Sequence, residues 1–221
     1  MTYTTFRHLV IEDARVPVDV DEIAAIEAEL GAVLPSSFLD FLNAASGGTV
    51  EYSVRIPPTS EGDEMMFCDI FHAGRDRQGE HGDGTLVGEI RGHRRFLGLP
   101  PGVLPFARDG GDSTVYLDLT KEGAGRVIAW VHGMPAWTGH RLDDGWVTVA
   151  SNFDEYVSLL QLDEADAVSL LEEALKRNNP QQTDASRQFL DLALTGWRDR
   201  YPNLAGTGGI ETDGEDHTCR P

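Results

Sequence analysis

Apolar residues recur at three- and four-residue steps near the start of the chain. Asp19, with Glu22 three positions on, predicts a capped helix. Ile23, Ile26 and Leu30 mark its buried face, and Gly31 stops it. After Val33-Leu34, Pro35 suits the first turn of a second helix. That helix carries Phe38, Phe41, Leu42 and Ala45 and ends at Gly47-Gly48. Two short helices joined by a tight connection are expected.

From Val50 the period changes. Val50, Tyr52, Val54 and Ile56 alternate with Glu51, Ser53 and Arg55, the two-residue repeat of a half-buried strand, and Pro57-Pro58 ends it. Met65 to Phe71 predicts a second strand, and the Gly-rich, charged stretch from Gly74 to Gly84 a loop. Leu86 to Leu97 fits helix and strand equally. Val103 to Ala107 and Thr114 to Leu119, separated by Asp109-Gly110-Gly111-Asp112, predict a hairpin. Arg126 to His132 supplies another strand, and Trp146 to Val149 follows the turn Asp143-Asp144-Gly145. The strands together predict an antiparallel meander.

Ser151, with Asp154 three residues on, predicts a cap for a helix whose apolar face is Phe153, Tyr156, Val157 and Leu160. Two further helical stretches, Asp163 to Lys176 and Asp184 to Arg198, flank Asn178-Asn179-Pro180, with Leu171, Leu175, Phe189, Leu190, Ala193 and Trp197 as buried contacts. The expected fold class is α+β, an antiparallel β-sheet packed with N-terminal and C-terminal helices plus a C-terminal helical annex. The expected organisation is an α+β domain over 1–162, an annex packed on it over 163–203, and a mobile acidic tail over 204–221.

Composition narrows the partner. The 221 residues hold 37 Asp and Glu against 18 Lys and Arg, a net charge of −19 that repels nucleic acid and anionic membranes. The basic run Arg91-Gly92-His93-Arg94-Arg95 stands alone in this acidic field. Acidity of this size favours a basic partner through association rate and discrimination. Two cysteines, Cys68 and Cys219, argue against a disulfide framework, and Cys68, inside an apolar run, is expected to be buried. The N-terminus lacks an apolar signal core and no apolar stretch approaches a membrane span, so a cytoplasmic location is expected.

Candidate chemistry is sparse. His72, His81 and Asp83 share one Gly-rich segment and His132 and His140 flank a later turn, which leaves a small metal-dependent hydrolase as one reading. Their spacing matches no ligand motif, and no nucleophile elbow or phosphate loop occurs. The expectation is no enzyme: no catalytic, cofactor or metal residues.

Three segments carry a resemblance. Ile26-Glu27-Ala28-Glu29-Leu30-Gly31 followed by Leu34-Pro35-Ser36-Ser37-Phe38, the run Leu104-Pro105-Phe106-Ala107-Arg108-Asp109-Gly110-Gly111-Asp112 into Tyr116-Leu117-Asp118-Leu119, and Val149 to Tyr156 resemble the SUKH superfamily, which includes the Smi/Knr-type regulators of fungal cell-wall assembly. The resemblance implies an immunity protein that binds a cognate toxin, often a nuclease or nucleic-acid deaminase, in the cytoplasm of the bacterium that makes it, without catalytic residues. The alternative it implies is an intracellular regulatory adaptor. Because loops vary while a scaffold holds them, the partner surface is expected on acidic loops, Glu61, Asp63 and Glu64 in one and Asp109 and Asp112 in the hairpin turn, all exposed.

Overall fold

The structure is a computed structural model that describes residues 1–15, 18–56, 64–74, 84–110, 113–133 and 144–206. Eight strands form one sheet in chain order, each antiparallel to the last: β1 (Tyr3–Phe6), β2 (Leu9–Glu12), β3 (Gly48–Arg55), β4 (Glu64–Ile70), β5 (Val103–Arg108), β6 (Thr114–Asp118), β7 (Arg126–Val131) and β8 (Gly145–Ala150). The helices α1 (Val20–Leu30), α2 (Ser36–Ala44), α3 (Leu86–Leu97) and α4 (Phe153–Leu159) complete the sheet-bearing unit, Met1–Ala167. The expected α+β class and meander are both present.

Local chemistry explains the boundaries. Asp19 and Glu22 form the reciprocal capping box of α1, and Gly31 closes that helix in the left-handed conformation. Pro35 is the residue before α2 and not part of its first turn, and α2 ends at Ala44, ahead of the glycines. Asn152, not Ser151, caps α4 by accepting from the Glu155 amide at 2.9 Å. Ser151 donates its own amide to Glu155 Oε2 at 2.7 Å, so the capping pair lies one residue later than its sequence pattern suggests.

Leu86 to Leu97 is the helix α3. Gly88 and Gly92 weaken its helical propensity, which is why its pattern alone is ambiguous. Thr85 Oγ1 accepting from the Gly88 amide at 3.0 Å and the burial of Leu86, Val87 and Ile90 decide for the helix. Arg94 ties its last turn to α1, donating to the carbonyl oxygen of Leu30 at 2.8 Å.

The core lies on one face of the sheet, where rings from α2 and α4 meet rings from β4 and β5. Phe38 stands 5.7 Å from Phe106 and 5.0 Å from Phe153, and Tyr156 5.5 Å from Phe67, each edge-on. Phe38, Phe41, Tyr116, Leu117, Phe153 and Tyr156 are all buried. Cys68, expected in the interior, is only half-buried because it follows Phe67 on β4 and alternation turns it to the opposite face.

The β1–β2 hairpin carries no turn signal in the sequence. Arg7 turns it with φ 55°, a conformation for which Gly or Asn is the usual marker. Leu9, Val10 and Ile11 are nevertheless buried.

A second compact unit begins at Val168. The helix α5 (Glu164–Lys176) runs into it, followed by α6 (Pro180–Ala193), α7 (Trp197–Arg200) and α8 (Pro202–Ala205). Asn179 caps α6, which starts at Pro180, four residues ahead of the expected start at Asp184. Leu171, Phe189, Leu190 and Trp197 are buried as expected, whereas Leu175 is exposed and Ala193 half-buried. The buried stripe of α5 runs Ala167, Val168, Leu171, Ala174, which leaves Leu175 beside it. Asp191 accepts from Trp197 Nε1 at 2.8 Å and Arg198 Nη2 at 2.7 Å. Most of the acidic tail lies outside the described residues.

Candidate functional site

In a meander, alternate connections leave at the same end of the sheet. The strand ends on either side of the β3–β4, β5–β6 and β7–β8 connections therefore share one rim. Asp109 belongs to that rim, but it is half-buried and not exposed. Its amide donates to the Ser113 carbonyl oxygen at 3.0 Å and its Oδ1 accepts from the Ser113 amide at 2.8 Å, so the carboxylate closes the hairpin. Glu64 opens β4, with its side chain outside the described part of the structure. Glu61, Asp63 and Asp112 lie outside the described residues, as do His81, Asp83 and His140.

The two described histidines of that candidate set, His72 and His132, have local partners. His72 Nδ1 accepts from the Gly74 amide at 3.1 Å, and His132 Nδ1 stands 3.5 Å from Asp144 Oδ1. Among the described residues no group of three or more His, Cys, Asp or Glu could hold a metal ion.

What the fold does assemble is an aromatic surface on the sheet face opposite the core. Val115, Leu117, Val127 and Ala129 point into the core cluster, so alternation turns Thr114, Tyr116, Ile128 and Trp130 the other way. Trp130 pairs with Trp146 across β7 and β8. Their rings lie 5.2 Å apart, and Trp146 lies 4.9 Å from Tyr116. Exposure rises in strand order from β6 to β8: Tyr116 is fully buried, Trp130 half-buried, and Trp146 is 44% exposed.

Tyr116 is fixed from α3. Its hydroxyl meets His93 Nδ1 at 2.9 Å, and His93 Nε2 lies 3.4 Å from the carboxylate of Glu89, one turn back on the same helix. Glu89 is itself buried and its Oε1 accepts from the Gly84 amide at 3.2 Å. Burial first, and the Glu89 charge after it, push the Tyr116 hydroxyl well above the usual phenol range, against a Thr114 hydrogen bond that lowers it. Tyr116 is thus a poor base or nucleophile at neutral pH and a firm support for the exposed rings.

The profile of the SMI1 / KNR4 family (SUKH-1) matches residues 17–159, more than half of the chain. The chain belongs to the SMI1 / KNR4 family. Comparisons with curated proteins and with solved structures each gave no match. The matched span of this SMI1 / KNR4 protein holds the three sequence segments of the resemblance and all of Glu89, His93, Tyr116, Trp130 and Trp146. It does not include the β1–β2 hairpin or the helices from α5 onward.

Sequence reasoning did not single out this aromatic surface. Glu89 and His93 stand four apart, which on a helix places them on one face, but that signal needs α3 to be known as a helix. The meeting of Trp130 with Trp146 depends on the β7–β8 register, which the intervening residues conceal.

Proposed function

We propose that this SMI1 / KNR4 family protein is a non-enzymatic immunity protein that binds and neutralises a cognate toxin, a nuclease or nucleic-acid deaminase, in the cytoplasm. Family membership joined to a net charge of −19 carries this reading. A protein that acts on nucleic acid presents Lys and Arg to phosphate, and an acidic partner competes for the same surface. The acidic rim loops with Glu61, Asp63, Glu64 and Asp112 supply part of the attracting field. Asp109 serves that rim chiefly by holding the hairpin in shape.

Co-expression with the product of the adjacent gene tests the function. A stable complex that co-purifies, and growth protection of cells making the toxin, are the expected results. Failure of both would reject toxin neutralisation. Reversing Glu61, Asp63, Glu64 and Asp112 together to lysine, with Asp109 kept, is expected to slow association and flatten its salt dependence while thermal unfolding stays nearly unchanged. Unaltered stopped-flow kinetics at two ionic strengths would remove these loops from the interface.

A further inference from the structure

Exposed tryptophan is costly unless a partner covers it, and a single exposed apolar residue needs no explanation. Trp146 is not single. It stands in a contiguous row with Trp130 and Tyr116, with centroid distances of 5.2 and 4.9 Å, and the row is anchored beneath by the Tyr116–His93–Glu89 chain. The result is a supported ring surface whose central member, Trp146, is also its most exposed.

An exposed carboxylate stands beside it on the same edge of the sheet. Along β8 and the residue before it, Asp144, Trp146 and Thr148 occupy alternate positions and all three are exposed. Asp144 is held in place, its Oδ1 accepting from the Gly133 amide at 2.6 Å and standing 3.5 Å from His132 Nδ1, so an arginine would share this carboxylate with the imidazole. The buried carboxylates near this row are already matched, Asp118 by Arg126 at 2.9 Å and Glu89 by the His93 ring at 3.4 Å. An indole face beside a fixed, exposed carboxylate suits a planar cation: a guanidinium stacks on the ring and donates to the acid. A nucleic-acid base would also stack on indole, but its phosphates would meet Asp144 and a net charge of −19.

We propose that Trp146 and Trp130, backed by Tyr116, form a platform on the outer face of β7 and β8 that takes an arginine side chain of the protein partner, with Asp144 as its counter-ion. The inference rests on the basic-partner reading above and adds the anchor point. Aromatic anchors at the centre of an interface carry a large share of binding energy, whereas rim charges act mainly on association rate. The platform therefore governs how long the complex lasts, and the acidic loops how fast it forms.

The test uses the full chain and the peptide acetyl-Gly-Arg-Gly-amide, followed through the indole N–H resonances by NMR. Trp146 and Trp130 are expected to shift saturably. The buried Trp197, whose Nε1 donates to Asp191, is the internal control and stays still. Replacing arginine with glutamine in the peptide abolishes the shift, and lysine weakens it. Trp146→Ala weakens the arginine peptide roughly tenfold, Trp146→Phe less, and Asp144→Asn by a smaller factor. A shift of Trp197 in parallel, equal response to the glutamine peptide, or tighter binding of a thymidine oligonucleotide at the same resonances would overturn the platform. With the toxin, Trp146→Ala is expected to speed dissociation at least roughly tenfold. A toxin held equally well by wild type and Trp146→Ala would sink the platform and leave the immunity function standing. Failure to bind any toxin would sink that function, and the peptide titration would still decide the platform.

Discussion

The Tyr52 hydroxyl on β3 donates to the carbonyl oxygen of His8 at 2.9 Å and accepts from the Val10 amide at 3.2 Å. One side chain thereby satisfies two backbone groups where β2 departs from β3, which pair only at Glu12 and Thr49. Tyr52 and Val10 are each 2% exposed, so water does not replace the hydroxyl at the Val10 amide. Tyr52→Phe is expected to cost about 1–3 kcal/mol, read as a lowered urea midpoint with unchanged slope. His8 adds a second tie, its Nε2 lying 2.9 Å from the Leu160 carbonyl oxygen at the end of α4.

This clasp marks the limit of what the sequence discloses. The strands from β3 to β8 and helices α1, α2 and α4 are legible from alternation or three-to-four spacing, although the cap residues agree with it only for α1 and lie off the true ends of α2 and α4. The β1–β2 hairpin is hidden because its strands have four residues each and Arg7 turns it. The partner surface is less legible still. Acidic loops can be read from composition, but the Tyr116–Trp146–Trp130 row exists only through pairing register, and Asp109 reads as a surface acid until its bonds to Ser113 are seen.

Two aromatic substitutions in the core are expected to differ in sign. Phe41 is fully buried, 5.3 Å from Phe153 and 5.2 Å from Phe6, and Phe41→Ala should cost roughly 3–5 kcal/mol. Tyr156 is as deeply buried, yet its hydroxyl finds no hydrogen-bond partner among the described residues, and burial raises its ionisation far above the usual phenol range. Tyr156→Phe removes a desolvated group without opening a cavity, so stability should hold or rise by up to about 1 kcal/mol. Denaturant midpoints of both variants check the pair.

Asp118 and Gly123 are expected to show strong coupling. The buried Asp118 carboxylate accepts from the Thr120 hydroxyl at 2.6 Å and from Arg126 at 2.9 and 3.1 Å, and a Cβ at Gly123 would stand 2.0 Å from its Cγ. Gly123→Ala must therefore displace the acid from its donors, at roughly 1–3 kcal/mol. In an Asp118→Ala background the clash is gone, and Gly123→Ala should cost much less. A double-mutant cycle by thermal unfolding measures the difference.

The carboxylates Glu12 and Glu51 are expected to make the protein less stable as pH rises above the acid range. Burial first, then the charges of Glu12 and Asp166, hold Glu51 above the ordinary glutamate value. Burial and then Asp13 raise Glu12, while the N-terminal amine opposes them. A carboxyl with a raised folded pKa binds its proton more tightly in the folded chain. The two states are equally protonated below the unfolded pKa, and the destabilisation is fully present above the folded one. Glu51→Gln removes the charge and should raise the denaturant midpoint near pH 7, with the gain shrinking toward pH 4. Groups of the opposite kind work against this trend at the acid end. Asp191, held low chiefly by Arg198, contributes stability above the ordinary aspartate value that is lost as pH falls through its lowered one. The comparison is therefore made between Glu51→Gln and wild type at each pH, so that Asp191 and the other acids not coupled to Glu51 cancel. A Glu51→Gln gain that is constant from pH 4 to pH 7, or absent at pH 7, would show that Glu51 carries no such repulsion.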